Sequence, residues 1–155
     1  MNTDASIWKP HVVAATVIER DGRFLCVEEQ IDGQTVINQP AGHLDPGETL
    51  TAAAVRETLE ETGWTVTIDH LIGVYLLETA IAGKTFLRFC FAGSAQSFDP
   101  ARPLDREIVR THWFTPAELV ARQAQLRSPL VMRAIEDYQA GERHPLSLLH
   151  AFLRD

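Results

Sequence analysis

The sequence predicts an α/β (α+β) fold, a mixed β-sheet sandwiched between helices, and three observations support this prediction. Apolar, β-branched runs recur along the chain and are separated by turn residues such as Asp-Gly. One segment, 49–62, has helical composition and a capping residue at each end. The length of 155 residues suits a single domain, 1–155, that buries its core without disulfides.

The strand predictions begin with a hairpin. His11 to Ile18 and Arg23 to Glu29 are largely apolar, and the turn pair Asp21-Gly22 joins them. A short extended piece is predicted at Val36 to Gln39, and Gly42 to Gly47 is expected as a loop. The remaining predicted strands are Leu71 to Leu77 and Thr85 to Ala92, joined through Ala82-Gly83, and Glu107 to Phe114.

The clearest predicted helix is Thr49 to Thr62. Three consecutive alanines, 52–54, favour a helix, Thr49 can cap its beginning and Gly63 can end it. Two shorter helices are predicted later in the chain: Pro116 toward Gln125, and Pro129 to Ala140 closed by Gly141.

The net charge of −7 narrows the possible partners. A nucleic-acid partner is disfavoured, because proteins that bind the phosphate backbone usually carry a basic surface. A small phosphorylated substrate remains compatible with this charge, since a metal ion can supply the positive charge. The sequence leaves the choice between a monomer and a small homo-oligomer open.

Three features favour a cytoplasmic location without membrane contact. Cys26 and Cys90 lie far apart in apolar stretches, which predicts buried free thiols in a reducing compartment. The segment Met1 to Pro10 has no apolar core of the kind found in secretory signals. Val12 to Ile18, the longest strongly apolar run, is too short to cross a bilayer.

The helix predicted at 49–62 carries a cluster of carboxylates. Glu57, Glu60 and Glu61 stand at i, i+3 and i+4 and therefore share one face. Such like charges destabilise a helix unless a cation compensates them, and Mg²⁺, with Mn²⁺ as an alternative, prefers these oxygen ligands. For three glutamates alone, a solvated acidic face is the competing interpretation. The opposite face, expected to be buried, consists of Ala52, Val55 and Leu59.

The surrounding residues favour the metal site over the solvated face. Seven positions fit the spacing G-x5-E-x7-R-E-U-x-E-E-x-G-U, in which U is a bulky apolar residue. This pattern is the Nudix box, and the chain resembles the Nudix hydrolase family, which implies the Nudix fold. Thr58 occupies a U position and Trp64 the last one. The seven matching residues are Gly42, Glu48, Arg56, Glu57, Glu60, Glu61 and Gly63.

The resemblance implies roles for the box residues. Glu57, Glu60 and Glu61 are implied as catalytic metal ligands, with the Gly42 carbonyl as a further ligand. Glu57 is also a candidate general base. Arg56 is expected to orient the neighbouring glutamates. Glu48, outside this set, is expected to be structural and to pair with Arg56.

Residues outside the box complete the expected site. Family members often add one more carboxylate, for which Glu107 is favoured over Asp105. Arg88, in a strand, and Arg127, at a predicted helix start, are candidate phosphate ligands, because guanidinium groups and helix N-termini suit anions. The resemblance adds Gln39 to the substrate contacts. Lys84 and His43 are expected to be, respectively, solvated and structural.

The match extends to one phosphatase of the family over most of the chain. Enzymes of that type act on nucleoside di- and triphosphates and on thiamine-type pyrophosphates. The resemblance implies attack at an outer phosphorus with release of orthophosphate. Ile37 stands where that relative carries Trp and offers no stacking surface, so a loosely held base is expected. The matching segments are Lys9-Pro10-His11, Asn38 to Leu44, Leu87-Arg88-Phe89, Leu126 to Val131 and Tyr138 to Gly141.

Other functions remain open at this stage. A Nudix enzyme that cleaves ADP-sugars tends to carry Pro about fifteen residues past the box, where this chain has Glu78, Thr79 and Ala80. Cleavage of dinucleoside polyphosphates is a further alternative within the family. A non-catalytic nucleotide-binding module is an alternative of another class. Loss of box glutamates would favour that module, and this chain keeps all of them.

Overall fold

A computed structural model describes residues 6–80 and 83–155. The predicted turn at Ala82-Gly83 and the N-terminal segment Met1 to Pro10 therefore lie partly outside the described residues. The strands are β1 His11–Arg20, β2 Arg23–Ile31, β3 Gln34–Asn38, β4 Ala41–His43, β5 Trp64–Glu78, β6 Thr85–Phe98 and β7 Ile108–Phe114. The α-helices are α1 Leu50–Thr62, α2 Pro116–Ala121 and α3 Leu130–Gln139, and short 3-10 turns lie at Gln123–Gln125 and Leu146–Leu148.

The described strands form a mixed seven-stranded sheet with β1 at its centre. β1 runs parallel to β6 and antiparallel to β4. It pairs with β2 only next to their turn, where Asp21 has φ 52° and Gly22 has φ 75°. Beyond that turn β2 pairs with β3 and β7 instead. The predicted hairpin is thus present at its turn, and its two strands then separate into different parts of the sheet.

Helices cover both faces of this sheet, as predicted. On one face, Ala53 and Ala54 of α1 pack with Ala14, Leu71 and Phe91. On the other face, residues of α2 and α3 join a larger cluster that includes Phe24, Cys26, Ile37, Cys90, Leu119 and Ile135. Cys26 and Cys90 are buried free thiols, in agreement with the prediction. Within the described residues, no helix is long and apolar enough to cross a membrane.

Helix α1 begins and ends as predicted. The Thr49 side chain accepts a hydrogen bond from the Ala52 N–H at 3.1 Å, and Gly63 ends the helix with φ 77° while its N–H donates to Leu59. A glycine is favoured there because side chains strain a left-handed backbone.

The predicted orientation of α1, by contrast, is wrong. Ala52 is exposed, and Val55 and Leu59 are only partly buried. The buried residues of the helix are Ala53, Ala54, Thr58, Glu61 and Thr62. The small side chains of Ala53 and Ala54 let α1 approach β1 closely. In this orientation the helix turns Glu57 and Glu61 toward β4.

The segment predicted as a loop at Gly42 to Gly47 begins with strand β4. Its backbone pairs with β1 in the register Ala15 to Ala41 and Val13 to His43. The Leu44 N–H extends this pairing by donating to the Val12 carbonyl at 3.0 Å. This backbone pairing was not visible in the sequence, because glycine and proline suggest a turn. The pairing holds residue 42 in a fixed position beside α1.

Thr58, which departs from the box pattern, is fully buried. Its hydroxyl donates to the Ala54 carbonyl at 2.8 Å and lies 3.3 Å from the Thr16 hydroxyl. Among the described residues no other side-chain partner of the Thr16 hydroxyl is found. The substitution therefore adds a polar contact between α1 and β1.

We predict that Thr58→Val lowers the free energy of unfolding by about 1 kcal/mol, because it leaves the buried Thr16 hydroxyl without a partner. Urea unfolding at neutral pH measures this change. The double variant Thr16→Val/Thr58→Val should recover part of the loss, since it removes both hydroxyls. Strictly additive losses would contradict the proposed coupling between the two side chains.

Candidate active site

Arg56 lies at the centre of the site, donates hydrogen bonds to three carboxylates and forms an ion pair with a fourth, that of Asp45, at 3.3 Å. Its Nε and Nη2 donate to the two carboxylate oxygens of Glu48 at 3.0 and 2.6 Å. Its Nη1 donates to Glu57 at 2.8 Å and to Glu60 at 3.1 Å. The hydrogen bond with Arg56 is the main cause that lowers the pKa of Glu48. The ion pair expected between Glu48 and Arg56 is present, and Arg56 is placed to orient both neighbouring glutamates.

Glu57 lies directly against the backbone of β4. A Cβ atom added to Gly42 would overlap the Glu57 carboxyl group. Residue 42 must therefore be glycine if Glu57 is to keep this position. The Glu57 side chain is 12% exposed. Burial is the main cause that raises the pKa of Glu57, and the hydrogen bond from Arg56 opposes this effect.

Glu57 and Glu60 are joined by a third carboxylate, that of Asp105. One carboxylate oxygen of each residue lies within 4.8 Å of those of the other two. The Asp105 N–H donates to the Glu60 carbonyl at 3.0 Å, which fixes the segment before β7 to the last turn of α1. Burial is the main cause that raises the pKa of Asp105, and Glu60 adds to it.

The sequence favoured Glu107 for this position, and the structure brings Asp105 there instead. Asp105 is anchored to α1, whereas the Glu107 carbonyl already accepts a hydrogen bond from the Gln30 N–H of β2 at 2.8 Å. At residue 107 the backbone therefore already pairs with β2 and has left the neighbourhood of α1. The sequence contained both acids, but the anchor to Glu60 is a tertiary contact that spacing alone does not reveal.

Glu61 does not join this group of three. It is 5% exposed, and its Oε1 accepts a hydrogen bond from the Ala41 N–H at 2.7 Å. Its other close neighbour is Glu29, a carboxylate that is 6% exposed and forms an ion pair with Arg127 at 2.8 Å. The expectation that all three box glutamates share one outward face is wrong. Glu61 turns inward because α1 packs its glutamate side toward β4 and β2.

Burial and the neighbouring Glu29 raise the pKa of Glu61 to about 9, with burial the larger cause. Glu29 is paired with Arg127, and because like charges held close together repel, ionising both buried carboxylates is costly. Glu29 was not recognisable from the sequence as part of the site. The available signal was an acid at the end of an otherwise apolar strand, which is weak evidence by itself.

A cleft of about 510 Å³ opens beside β4. Its lining includes three cationic side chains, Arg88, Arg127 and Lys84. Gly42 and His43 also line it, so the cleft adjoins the glutamate group through β4. A second depression, of about 590 Å³, lies between β5 and α3 and is lined by none of the predicted site residues.

Arg88 is held in place from behind by Gln39. Arg88 is 6% exposed, and its Nη2 donates to the Gln39 Oε1 at 2.6 Å. The Gln39 amide donates in turn to the Val131 carbonyl at 2.7 Å. Among the described residues, the buried Arg88 Nε has no hydrogen-bond partner. Gln39 is 1% exposed and does not line the cleft, so the predicted substrate contact is replaced by a role in positioning Arg88.

Ile37 does not face the cleft either. Its side chain is 2% exposed and belongs to the core cluster, while its neighbours Val36 and Asn38 line the cleft. This follows from the alternation of side chains along a strand. Residue 37 faces the core, so its identity does not decide whether a base finds a stacking surface in the cleft. The expectation of a loosely held base, which rested on Ile37, is therefore wrong.

The donor set fits a hard divalent cation. Glu57, Glu60 and Asp105 offer oxygen atoms close together, and Arg56 is the only cationic side chain hydrogen-bonded to this group in the described part of the chain. Carboxylate oxygens near each other, with room for phosphate, are the environment that Mg²⁺ prefers. The Gly42 carbonyl and Glu61 as ligands, and the roles of the remaining site residues, stay predictions.

We predict that Glu61→Gln stabilises the metal-free protein at pH 8 relative to the wild type. The raised pKa means that the folded wild type retains a proton which the unfolded chain releases above about pH 4.5. Wild-type stability therefore falls as pH rises from that value toward 9, whereas the side-chain amide of the variant cannot ionise. Thermal unfolding in EDTA at pH 5 and pH 8 measures the difference. A gap between the two proteins that stays constant with pH would contradict the assignment.

Comparison with known proteins relates the chain to one family. The NUDIX domain family model matches residues 8–134. Phosphatase NudJ of Escherichia coli strain K12 is 43% identical over 147 residues, which cover 94% of each chain. The same identity and coverage hold for phosphatase NudJ of Shigella sonnei strain Ss046.

Solved structures show the same fold. A NUDIX hydrolase from Nitrosomonas europaea has a TM-score of 0.91 and 50% identity, and the match covers 93% of this chain and 98% of that one. A C. elegans Ap4A hydrolase matches with a TM-score of 0.63 at 22% identity over 84% of this chain and 96% of that one, a likeness of fold alone. The family model and the relatives together show that the chain belongs to the Nudix hydrolase family.

Proposed function

We propose that this Nudix hydrolase cleaves phosphoanhydride bonds in nucleoside di- and triphosphates and in thiamine-type pyrophosphates, in a metal-dependent reaction that releases orthophosphate. The observation that supports it most is the carboxylate group of Glu57, Glu60 and Asp105. This group lies beside β4, and β4 also lines the cationic cleft. A phosphate chain in the cleft thus lies next to the carboxylates.

Glu57, Glu60 and Asp105 would hold Mg²⁺, or Mn²⁺ in its place, together with Glu61 and the Gly42 carbonyl. The bound ion would offset the charge of the phosphate oxygens and lower the pKa of water. Arg56 keeps the carboxylates in position through its bonds to Glu57 and Glu60.

Glu57 is the proposed acceptor of the proton from water. Its carboxylate is largely buried and its pKa is raised, which makes it a better base near neutral pH than an exposed glutamate. It lies against Gly42, at the boundary between helix and cleft. This position lets one side chain reach toward a phosphate held beside β4.

Arg88 and Arg127 are the proposed phosphate ligands, and Lys84, which the sequence suggested would only be solvated, joins them because it lines the same cleft. All three line the cleft, and guanidinium groups bind phosphate through paired hydrogen bonds. Arg88 is fixed by Gln39, and Arg127 by Glu29. Fixed cations hold a phosphate chain at little cost in side-chain entropy.

The likeness to phosphatase NudJ supports orthophosphate as the product, and nucleotides and thiamine-type pyrophosphates are the substrates that the sequence resemblance implies. The proposal treats residues 1–155 as one catalytic domain, acting on a small substrate without nucleic-acid or membrane partners, as a monomer or small homo-oligomer. The buried free thiols Cys26 and Cys90 support a cytoplasmic location.

We predict that EDTA abolishes GTP hydrolysis and that added Mg²⁺ restores it. Glu57→Gln should lower kcat about 10²- to 10⁴-fold with Mg²⁺ present, because it removes the proposed base. Phosphate release at saturating GTP measures both effects. Glu136→Gln on the exposed side of α3 is the matched control. Full activity in EDTA, or wild-type kcat in Glu57→Gln, would reject the proposal.

We predict that Asp105→Asn weakens apparent Mg²⁺ affinity or kcat about 10- to 100-fold. Glu107→Gln should stay within about twofold of the wild type, because its carboxylate lies outside the group of three. Magnesium titrations of the GTPase rate for the two variants provide the comparison. The reverse order of effects would restore Glu107 as the additional carboxylate.

We predict orthophosphate as the initial product from GTP, followed by consumption of GDP. Water then attacks an outer phosphorus, in keeping with the phosphatase activity named for the relative. Phosphorus NMR without added pyrophosphatase distinguishes the products. Pyrophosphate and GMP together at the first time point would refute outer attack while leaving the metal-dependent hydrolase proposal intact.

A further inference from the structure

Three aromatic rings meet at one end of the cleft. The ring centroids of His11 and Phe86 lie 5.3 Å apart, and those of His11 and His43 lie 5.5 Å apart. His43 and Phe86 are 6.3 Å apart. Strand pairing brings these residues together: His11 lies opposite Phe86 in the β1–β6 register, and His43 ends β4 on the other side of β1.

In this ring cluster of His11, His43 and Phe86, His11 packs against the two rings that border the cleft. Phe86 and His43 line it, and so does Leu77, which pairs with Phe86 across β5 and β6. Both imidazole-bearing residues are exposed and Phe86 is half-buried. Phe86 and His43 are thus accessible from the cleft, and Leu77 is the apolar neighbour of Phe86 on the adjacent strand.

The rings stand next to the cations of the cleft. Phe86 and Arg88 are two residues apart on β6, so their side chains leave the same face of the sheet about 7 Å apart along the strand. Arg88 is a proposed phosphate ligand, and it lines the same cleft. The ring cluster therefore adjoins the place where a phosphate would bind.

We propose that Phe86, together with His43, forms a stacking surface for the planar heteroaromatic ring of the substrate, with His11 packed against both rings. The ligand class is a nucleobase or another pyrimidine-type ring that is joined to its phosphates by a short linker. This inference rests on the proposed function, since it concerns the non-phosphate part of the same substrate.

A stacking surface of this kind binds planar rings and does not distinguish strongly between different bases. Aromatic side chains stack on any base, because every base has a π-face. The cleft lining near Phe86 also includes the side chains of Thr79 and Lys84. Such a surface favours ring-bearing phosphates over inorganic ones and accepts several different rings.

Variants of Phe86 test the proposal on the intact protein. Phe86→Leu removes the ring, and Phe86→Tyr keeps it. Phe98→Leu is the matched control, because Phe98 lies on the same strand, is half exposed and stacks on Trp64 but does not line the cleft. KM for GDP is measured with Mg²⁺, and inorganic tripolyphosphate serves as a ring-free substrate or competitive inhibitor. Calorimetric binding of GMP in EDTA gives a readout without hydrolysis.

We expect Phe86→Leu to raise KM for GDP and Kd for GMP about 10-fold or more, with tripolyphosphate changed less than about twofold. Phe86→Tyr and Phe98→Leu should stay close to the wild type. Equal losses for GDP and tripolyphosphate, or unchanged GDP and GMP values in Phe86→Leu, would overturn the stacking surface.

Failure of the proposed function is a separate outcome. If the wild type hydrolyses neither substrate, the hydrolase proposal fails and the GMP titration alone decides the stacking surface. Weaker GMP binding in Phe86→Leu then supports it. Unchanged binding, or no GMP binding by the wild type, then overturns it.

Discussion

The contact between the Glu57 carboxylate and the backbone at Gly42 is the constraint on which the site depends. A side chain at residue 42 would occupy the place of that carboxylate, so Glu57 can keep this position only beside a glycine. The small buried residues of α1, Ala53 and Ala54, permit a close approach to β1. The packing of α1 therefore also sets the geometry of the site, because it brings the carboxylates to β4, the strand that borders the cleft.

That arrangement concentrates negative charge and compensates it only partly. Arg56 satisfies Glu48, Glu57 and Glu60, while Asp105 adds a further carboxylate. Burial raises the pKa of Glu57 and of Asp105 above their usual ranges. A protein that keeps such costly groups together has a site that binding of a cation would stabilise.

Features of the site that depend on spacing along the chain were predicted well from the sequence. Features that depend on tertiary contacts were predicted less well. The caps of α1 and the Glu48–Arg56 pair follow from local spacing, so they were found. The facing of α1 was misjudged, because alanines and glutamates gave no clear apolar stripe and close packing on β1 decided the orientation. Contacts between segments that are distant in sequence bring three further residues to the site and its cleft: Asp105, Glu29 and Phe86. Ile37 was expected near the substrate, but the face of the sheet to which its side chain points depends on how β3 pairs with β2.

The central claim is that the carboxylates held against β4 form a metal centre. Anomalous diffraction from crystals soaked in Mn²⁺ with a non-hydrolysable GTP analogue tests it most directly. The account predicts an anomalous peak among Glu57, Glu60 and Asp105, with phosphate density extending toward Arg88. A saturating soak that leaves this position empty, or that places Mn²⁺ only elsewhere in the molecule, would contradict it.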